Sequence, residues 1–193
     1  MSLLPIDITT YNTFRTDALN RASQGLGYNV DGYYGYQCWD LAAELWMNIS
    51  EFHDGALWPK TGPNLAAMEC WTVSRDTNAG HSFDLIYTKS EIRRGDVIVI
   101  GPSAISSVGH IAFADEDYNG TDIMQLLGQN QVNPNPNTGH IPTVTLVGIS
   151  AFLGAFRYHE WDNPQPETKT KKHKFPWYIY TKKINNRNNY GII

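Results

Sequence analysis

The feature that most constrains the fold is a series of five short apolar segments in the second half of the chain. Turns rich in Gly, Asp, Asn and Pro separate them, which is typical of strands that follow one another in an antiparallel sheet. The first segment, Val-Ile-Val-Ile, carries no polar residue, so we expect it to be buried on both faces. A polar turn at 115–120 joins the second segment to the third. The predicted strands are 97–100, 109–114, 123–127, 143–147 and 152–158.

An amphipathic helix is predicted ahead of these strands. Apolar residues recur there at helical spacing, which places them on one face. They are Cys38, Leu41, Ala42, Leu45, Trp46 and Ile49. Shorter helices are predicted at 17–22 and 64–69. Helices followed by a strand meander indicate an α+β fold with an antiparallel sheet.

Charge divides the chain into two unequal parts. Its 193 residues, 41% hydrophobic and 18% charged, suit one globular domain of ordinary size. Residues 1–163 hold 8 basic against 18 acidic residues, a charge of −10, whereas residues 164–193 hold 7 against 1, a charge of +6. We therefore predict a domain over 1–163 and a basic tail over 164–193. The negative domain repels phosphate, so nucleic acid is not an expected partner.

Several classes of protein are not supported by the sequence. No apolar run is long enough for a membrane span, and the first residues lack the pattern of a secretory signal peptide. There is no glycine-rich phosphate-binding motif and no closely spaced Cys and His metal motif. The two cysteines, Cys38 and Cys70, are expected to be free thiols.

Three residues form a candidate catalytic set. Cys38 falls in the first turn of the predicted helix, where the helix dipole favours a nucleophilic thiolate. His110 begins a predicted strand and is a candidate base, and Asn130 ends the next strand, where it would lie beside His110 and orient it. Each has a purely structural alternative: Cys38 as a small buried side chain, His110 as a structural histidine, Asn130 as a turn residue.

Four short motifs in the right order carry a family resemblance: YQCWDL at 36–41, RGDV at 94–97, GHIA at 109–112 and GQN at 128–130. The set resembles the CHAP domain (cysteine, histidine-dependent amidohydrolase/peptidase) of phage endolysins, over roughly residues 10–160. The resemblance implies a papain-like fold of the NlpC/P60 type, with helices packed on an antiparallel sheet. It implies Cys38 as nucleophile, His110 as general base and Asn130 as the Asn of the family's Glu-x-Asn element. Gly128 stands at the Glu position, a departure from the family pattern.

The resemblance also implies a function: hydrolysis of an amide or peptide bond in bacterial peptidoglycan through a thioester, by an endolysin that lyses the host. Such a protein stays in the host cytoplasm until release and then acts on the wall. An endopeptidase is favoured over an N-acetylmuramoyl-L-alanine amidase. Two alternatives stay open: a virion-associated wall hydrolase acting at phage entry, and a non-enzymatic wall- or calcium-binding module with a degenerate site. The basic tail either binds anionic wall polymers or is a solvated linker.

The segment before Cys38 is a candidate calcium loop. Oxygen-bearing groups alternate around a glycine turn, as a hard cation requires. The candidate ligands are Asn29, Asp31, Tyr33, Gly35 and Asp40, with Tyr33 and Gly35 acting through backbone carbonyls. Some phage CHAP domains carry calcium here, so the resemblance favours a structural Ca²⁺ that braces the loop before Cys38. The alternative is an Asx-turn leading into the helix.

Overall fold

The computed structural model describes residues 8–49, 59–77 and 83–158, without the side chains of Asn48 and Ile49. The predicted boundary at residue 163 and the basic tail 164–193 lie outside these residues.

The described part of the first half of the chain contains three α-helices. They are α1 (Ile8–Ser23), α2 (Cys38–Ile49) and α3 (Glu69–Ser74). The amphipathic pattern from Cys38 predicts α2 correctly. The helix predicted at 17–22 is the end of the longer α1, which buries Tyr11, Phe14 and Ala18 at helical spacing.

The predicted helix at 64–69 is wrong, because α3 begins only at Glu69. Leu65 has a φ of +56°, which a right-handed helix excludes. The Glu69 carboxylate accepts hydrogen bonds from the backbone N–H groups of Asn64 and Ala66, and it thereby holds the turn before the helix.

The strands form one six-stranded antiparallel sheet in the order β1-β6-β2-β3-β4-β5. All five predicted strands are present and the α+β class is confirmed. The first strand, β1, was missed because it is four residues long within a loop-rich segment. The strands are β1 (Phe83–Ile86), β2 (Val97–Ile100), β3 (His110–Ala114), β4 (Ile123–Gly128), β5 (Thr143–Gly148) and β6 (Phe152–Tyr158).

Apolar side chains cover both faces of the sheet. On one face, Val97, Val99, Ile111 and other strand residues form a core with all three helices. On the other face, Ile98, Ile100 and their neighbours form a second core with connecting segments. Every residue of β2 is therefore buried, as its apolar sequence predicts. No helix among the described residues is long and apolar enough to cross a membrane.

Two ion pairs fasten elements that are distant in sequence. Arg157 on β6 donates to both carboxylate oxygens of Asp96, each at 2.8 Å, and both residues are buried. Arg15 on α1 makes a two-pronged contact with Asp115, which also accepts a hydrogen bond from the Tyr11 hydroxyl at 3.0 Å. The first pair joins β6 to the turn before β2, and the second joins α1 to the turn after β3.

Candidate active site

Cys38 is the first residue of α2 and lies against β3. The backbone N–H of Ile111, the residue after His110, lies close enough to its sulfur to lower the pKa of the thiol. The residue as a whole is partly exposed, but its sulfur is buried, and its side chain packs on the core face that contains Ile111. The structure thus brings the predicted nucleophile to the strand that begins with the predicted base.

Burial dominates the protonation state of this thiol. It raises the pKa of Cys38 to about 11, although backbone N–H groups of Ile111, Trp39 and Cys38 itself act to lower it. The net direction is opposite to the expectation that the helix terminus lowers this pKa. The reason is that the cost of desolvating a thiolate exceeds the gain from the helix dipole. Cys38 therefore rests as a neutral thiol at pH 7.

His110 is buried at the start of β3, with 1% of its surface exposed. The preceding Gly109 has a φ of +83°, and a Cβ there would lie 2.5 Å from the carbonyl oxygen of Ile100, so only glycine fits. Burial lowers the pKa of His110 to about 4, which keeps the imidazole neutral at pH 7. Its Nε2 lies 3.4 Å from Oε1 of Gln131. Among the described residues, no hydrogen bond joins the imidazole to Cys38.

Asn130 lies close to the loop before Cys38. It is buried with a φ of +56°, and its Nδ2 donates to Oε1 of Gln37 at 2.8 Å and to the carbonyl of Asn135 at 3.1 Å. Its Oδ1 accepts from the backbone N–H of Asn135. Within the described residues these bonds do not reach His110, so the role of Asn130 as orienter stays a prediction.

Two glutamines outside the predicted catalytic set complete the surroundings of Cys38. Gln129 is fully buried, and its side chain bonds to the backbone of Tyr28 in both directions and to the carbonyl of Gln37. Gln37 Nε2 donates to the carbonyls of Tyr34 and Asn135. For Gln129, the sequence feature that could have indicated a role is the run of three side-chain amides at 129–131, directly after a strand.

The candidate calcium loop has one buried and one exposed carboxylate. Asp40, 1% exposed, accepts hydrogen bonds from the backbone N–H groups of Val30, Asp31 and Gln37. Burial, together with the negative charge of Asp31, raises its pKa to about 7, although the backbone hydrogen bonds act to lower it. Two nearby carboxylates, one of them costly to ionise, match the chemistry of a hard cation.

Other observations on this loop agree with the Asx-turn alternative. Oδ1 of Asp31 accepts from the N–H of Tyr33 at 2.8 Å, and the carbonyl of Gly35 accepts from the N–H of Gln37. The described residues contain no group of three or more His, Cys, Asp or Glu side chains arranged to hold a metal. The other predicted ligands, Asn29 and the carbonyls of Tyr33 and Gly35, are neutral.

The described surface also has a cavity of about 490 Å³ on another part of the molecule. It is lined by Ile92, Tyr118 and Arg157 among others, and none of the predicted site residues borders it. The predicted site residues therefore lie outside this cavity.

No protein-family model matches the sequence, and no curated protein matches it. Among solved structures, the chain is similar to the wild-type endolysin LysIME-EF1, with a TM-score of 0.57 and 24% identity over 77% of this chain and 65% of that chain. It also aligns with Ly7917, with a TM-score of 0.46 and 17% identity over 75% of this chain and 62% of that one. The chain thus spans just under two thirds of the length of LysIME-EF1. This likeness shows that the chain has an α+β fold of the kind found in the endolysin LysIME-EF1.

Proposed function

We propose that this protein is a cysteine peptidoglycan hydrolase that acts on the bacterial wall as an endolysin. The observation that carries the proposal is the contact between the sulfur of Cys38 and the N–H of Ile111, next to the buried His110. A thiol at a helix N-terminus beside a buried histidine is the arrangement that acyl transfer needs. The likeness to LysIME-EF1 agrees with the proposal at the level of fold.

The proposed reaction has two steps. Sγ of Cys38 bonds to the carbonyl carbon of a wall peptide, and His110 takes the thiol proton. The C–N bond then breaks, and His110 gives that proton to the departing amine, which leaves a thioester on Cys38. Water, deprotonated by His110, attacks the thioester and releases a carboxylic acid, and the thiol recovers its proton.

The neutral charge of Cys38 and His110 determines when the proton is transferred in the first step. Because Cys38 and His110 are both uncharged at pH 7, proton transfer accompanies the attack and charge appears only as the reaction proceeds. The positive end of the α2 dipole lies where negative charge develops on the substrate oxygen. Gln37 Nε2 is already bonded to two carbonyls, so backbone N–H groups are the better donors to this oxygen.

The cleaved bond is proposed to be a peptide bond, in preference to the amide between N-acetylmuramic acid and L-alanine. Mass spectrometry of digested walls distinguishes them, because an endopeptidase creates new N-termini on peptide residues and an amidase frees lactyl groups. Absence of both products would support the alternative of a non-enzymatic wall-binding module. Detection of the protein in purified virions would favour action at phage entry over action at lysis.

We also propose that Ca²⁺ binds Asn29, Asp31, Asp40 and the carbonyls of Tyr33 and Gly35. The supporting observation is the high pKa of Asp40, since a cation would remove the repulsion between its carboxylate and that of Asp31. The ion would supply structure only, by fixing the loop before Cys38.

The basic tail 164–193 is proposed to bind anionic wall polymers, on the basis of its charge of +6. Truncation after residue 163 should then weaken wall binding, increasingly so at low salt, and leave hydrolysis of soluble wall fragments unchanged. Equal binding by both proteins would overturn this proposal.

A further inference from the structure

We propose that Gln131 is the residue that positions His110. Its side chain occupies the space that is free because residue 128 is a glycine. This inference rests on the proposed hydrolase function and assigns one more residue to the same site. It places the orienting group one residue beyond the Asn130 that the sequence predicts.

The direction of the Gln131 amide is fixed by its surroundings. Its Nε2 donates to the carbonyl oxygens of Leu126 at 3.0 Å and Thr143 at 2.8 Å. A flipped amide would put its oxygen against these acceptors, so Oε1 must be the atom that faces His110. Gln131 is 7% exposed, so protein atoms hold the side chain in this position.

Gly128 provides the room for this side chain. A Cβ at residue 128 would lie 2.2 Å from Oε1 and 2.8 Å from Cδ of Gln131, and 3.1 Å from Cβ of Ala112. Gly128 lies opposite the segment that follows His110, through the pairing of β3 with β4. A side chain at 128 and the observed position of Gln131 therefore exclude each other, and Gly128 and Gln131 act as a pair.

The contact selects one tautomer of His110. Because Oε1 of Gln131 only accepts, Nε2 of His110 must carry its proton when the two lie 3.4 Å apart. Nδ1 then keeps its lone pair and is the atom available to take the Cys38 proton. The hydrogen bond to this neutral amide raises the pKa of His110, but burial lowers it by more, so the imidazole stays neutral at pH 7.

The first test replaces Gln131 with Met, which has a similar length but no acceptor. We expect wall hydrolysis to fall by about 10- to 100-fold, by analogy with the loss of groups that orient metal-bound histidines. ¹⁵N NMR of the imidazole should show protonated Nε2 in the wild type and a mixture of tautomers in Gln131→Met. The circular dichroism melting curve controls for folding, and the tautomer readout is one that a merely structural role would not move.

The second test uses Gly128→Ala, with Gly148→Ala as the matched control. Both glycines end strands, but a Cβ at Gly148 meets nothing within 4 Å. Gly128→Ala should displace Gln131 and reduce activity and tautomer purity as Gln131→Met does, and the double variant should be no worse than either single variant. Gly148→Ala should behave as the wild type.

Two results would overturn the inference: an unchanged tautomer and activity in Gln131→Met, or fully additive losses in the double variant. Either result leaves the hydrolase proposal intact if Cys38→Ala is inactive. Conversely, an active Cys38→Ala would refute the hydrolase proposal, while the tautomer measurement would still show whether Gln131 orients His110.

Discussion

Among the described residues, two groups of polar side chains in or beside the core are built from opposite kinds of groups. The first contains full charges: Arg157 with Asp96, and Arg15 with Asp115. The second, around Cys38 and His110, contains a thiol, an imidazole and side-chain amides, and burial keeps the thiol and the imidazole neutral. The charged region joins distant elements, whereas the neutral region surrounds the proposed reacting groups.

The difference shows how burial can serve either stability or chemistry. A buried carboxylate needs a partner, and two-pronged arginine contacts supply one in a fixed geometry. A neutral thiol and imidazole need no such partners, so they can gain and lose a proton during a reaction. The following predictions test this division, from the largest expected effect to the smallest.

Replacing Cys38 with Ala should reduce wall hydrolysis by at least about 10³-fold, because no other group can form the thioester. The melting temperature should change less than the activity, because the substitution removes only the sulfur atom from a residue that is partly exposed as a whole. Cys70→Ala is the matched control: this thiol is fully buried, so its loss should lower stability and leave the rate intact. Equal turbidity loss from wild type and Cys38→Ala would contradict the catalytic role.

Replacing Arg157 with Met should destabilise the fold by about 3–5 kcal/mol, because Asp96 would be left as a buried unpaired carboxylate. Urea unfolding measures the change. The control is Lys89→Met, which removes the ion pair with the half-exposed Asp122 and should cost about 1 kcal/mol or less. Similar losses of unfolding free energy in the two variants would contradict the expected difference between buried and exposed ion pairs.

Chelation should lower the melting temperature and the activity if Ca²⁺ occupies the loop before Cys38. An ion present at about 100 times its Kd contributes about 2.7 kcal/mol to stability. Asp40→Asn should abolish the response to chelator, whereas Asp76→Asn, an exposed carboxylate far from the loop in sequence, should retain it. A wild-type protein with the same melting temperature and activity after exhaustive chelation would exclude the calcium proposal.

The low pKa of His110 predicts how stability depends on pH. The unfolded histidine takes up a proton near its ordinary pKa of 6.5, but the folded one does so only near pH 4. Its contribution to stability is therefore complete above pH 6.5 and decreases as the pH falls toward 4, by at most about 1.4 kcal/mol per pH unit.

His110→Gln should remove this part of the pH dependence in urea unfolding between pH 4 and 6.5. Asp40 opposes it over an overlapping range in calcium-free protein, because its raised pKa makes the folded state less stable as the pH rises toward 7. The comparison is best made in the Asp40→Asn background. An unchanged pH profile would mean that His110 is solvated and not held neutral by burial.

Much of the fold could be predicted from local patterns. The spacing from Cys38 to Ile49 predicts α2, and alternation between apolar runs and turns predicts five of six strands. In a helix or strand with a strong hydrophobic period, the spacing of apolar residues shows which face is buried. Residues close in sequence are therefore enough to predict such an element. The prediction failed at 64–69 and 83–86, where the segments are short and long-range contacts decide the conformation.

The sequence by itself determined the α+β class and identified Cys38 and His110 as residues to consider together. Only the tertiary structure decided that the thiol and the imidazole are neutral, that Asn130 bonds to Gln37 and Asn135, and that Gln131 contacts His110 above Gly128. These outcomes depend on burial and on distances between side chains from different strands and loops. No local pattern records such quantities, because they exist only once the chain has folded.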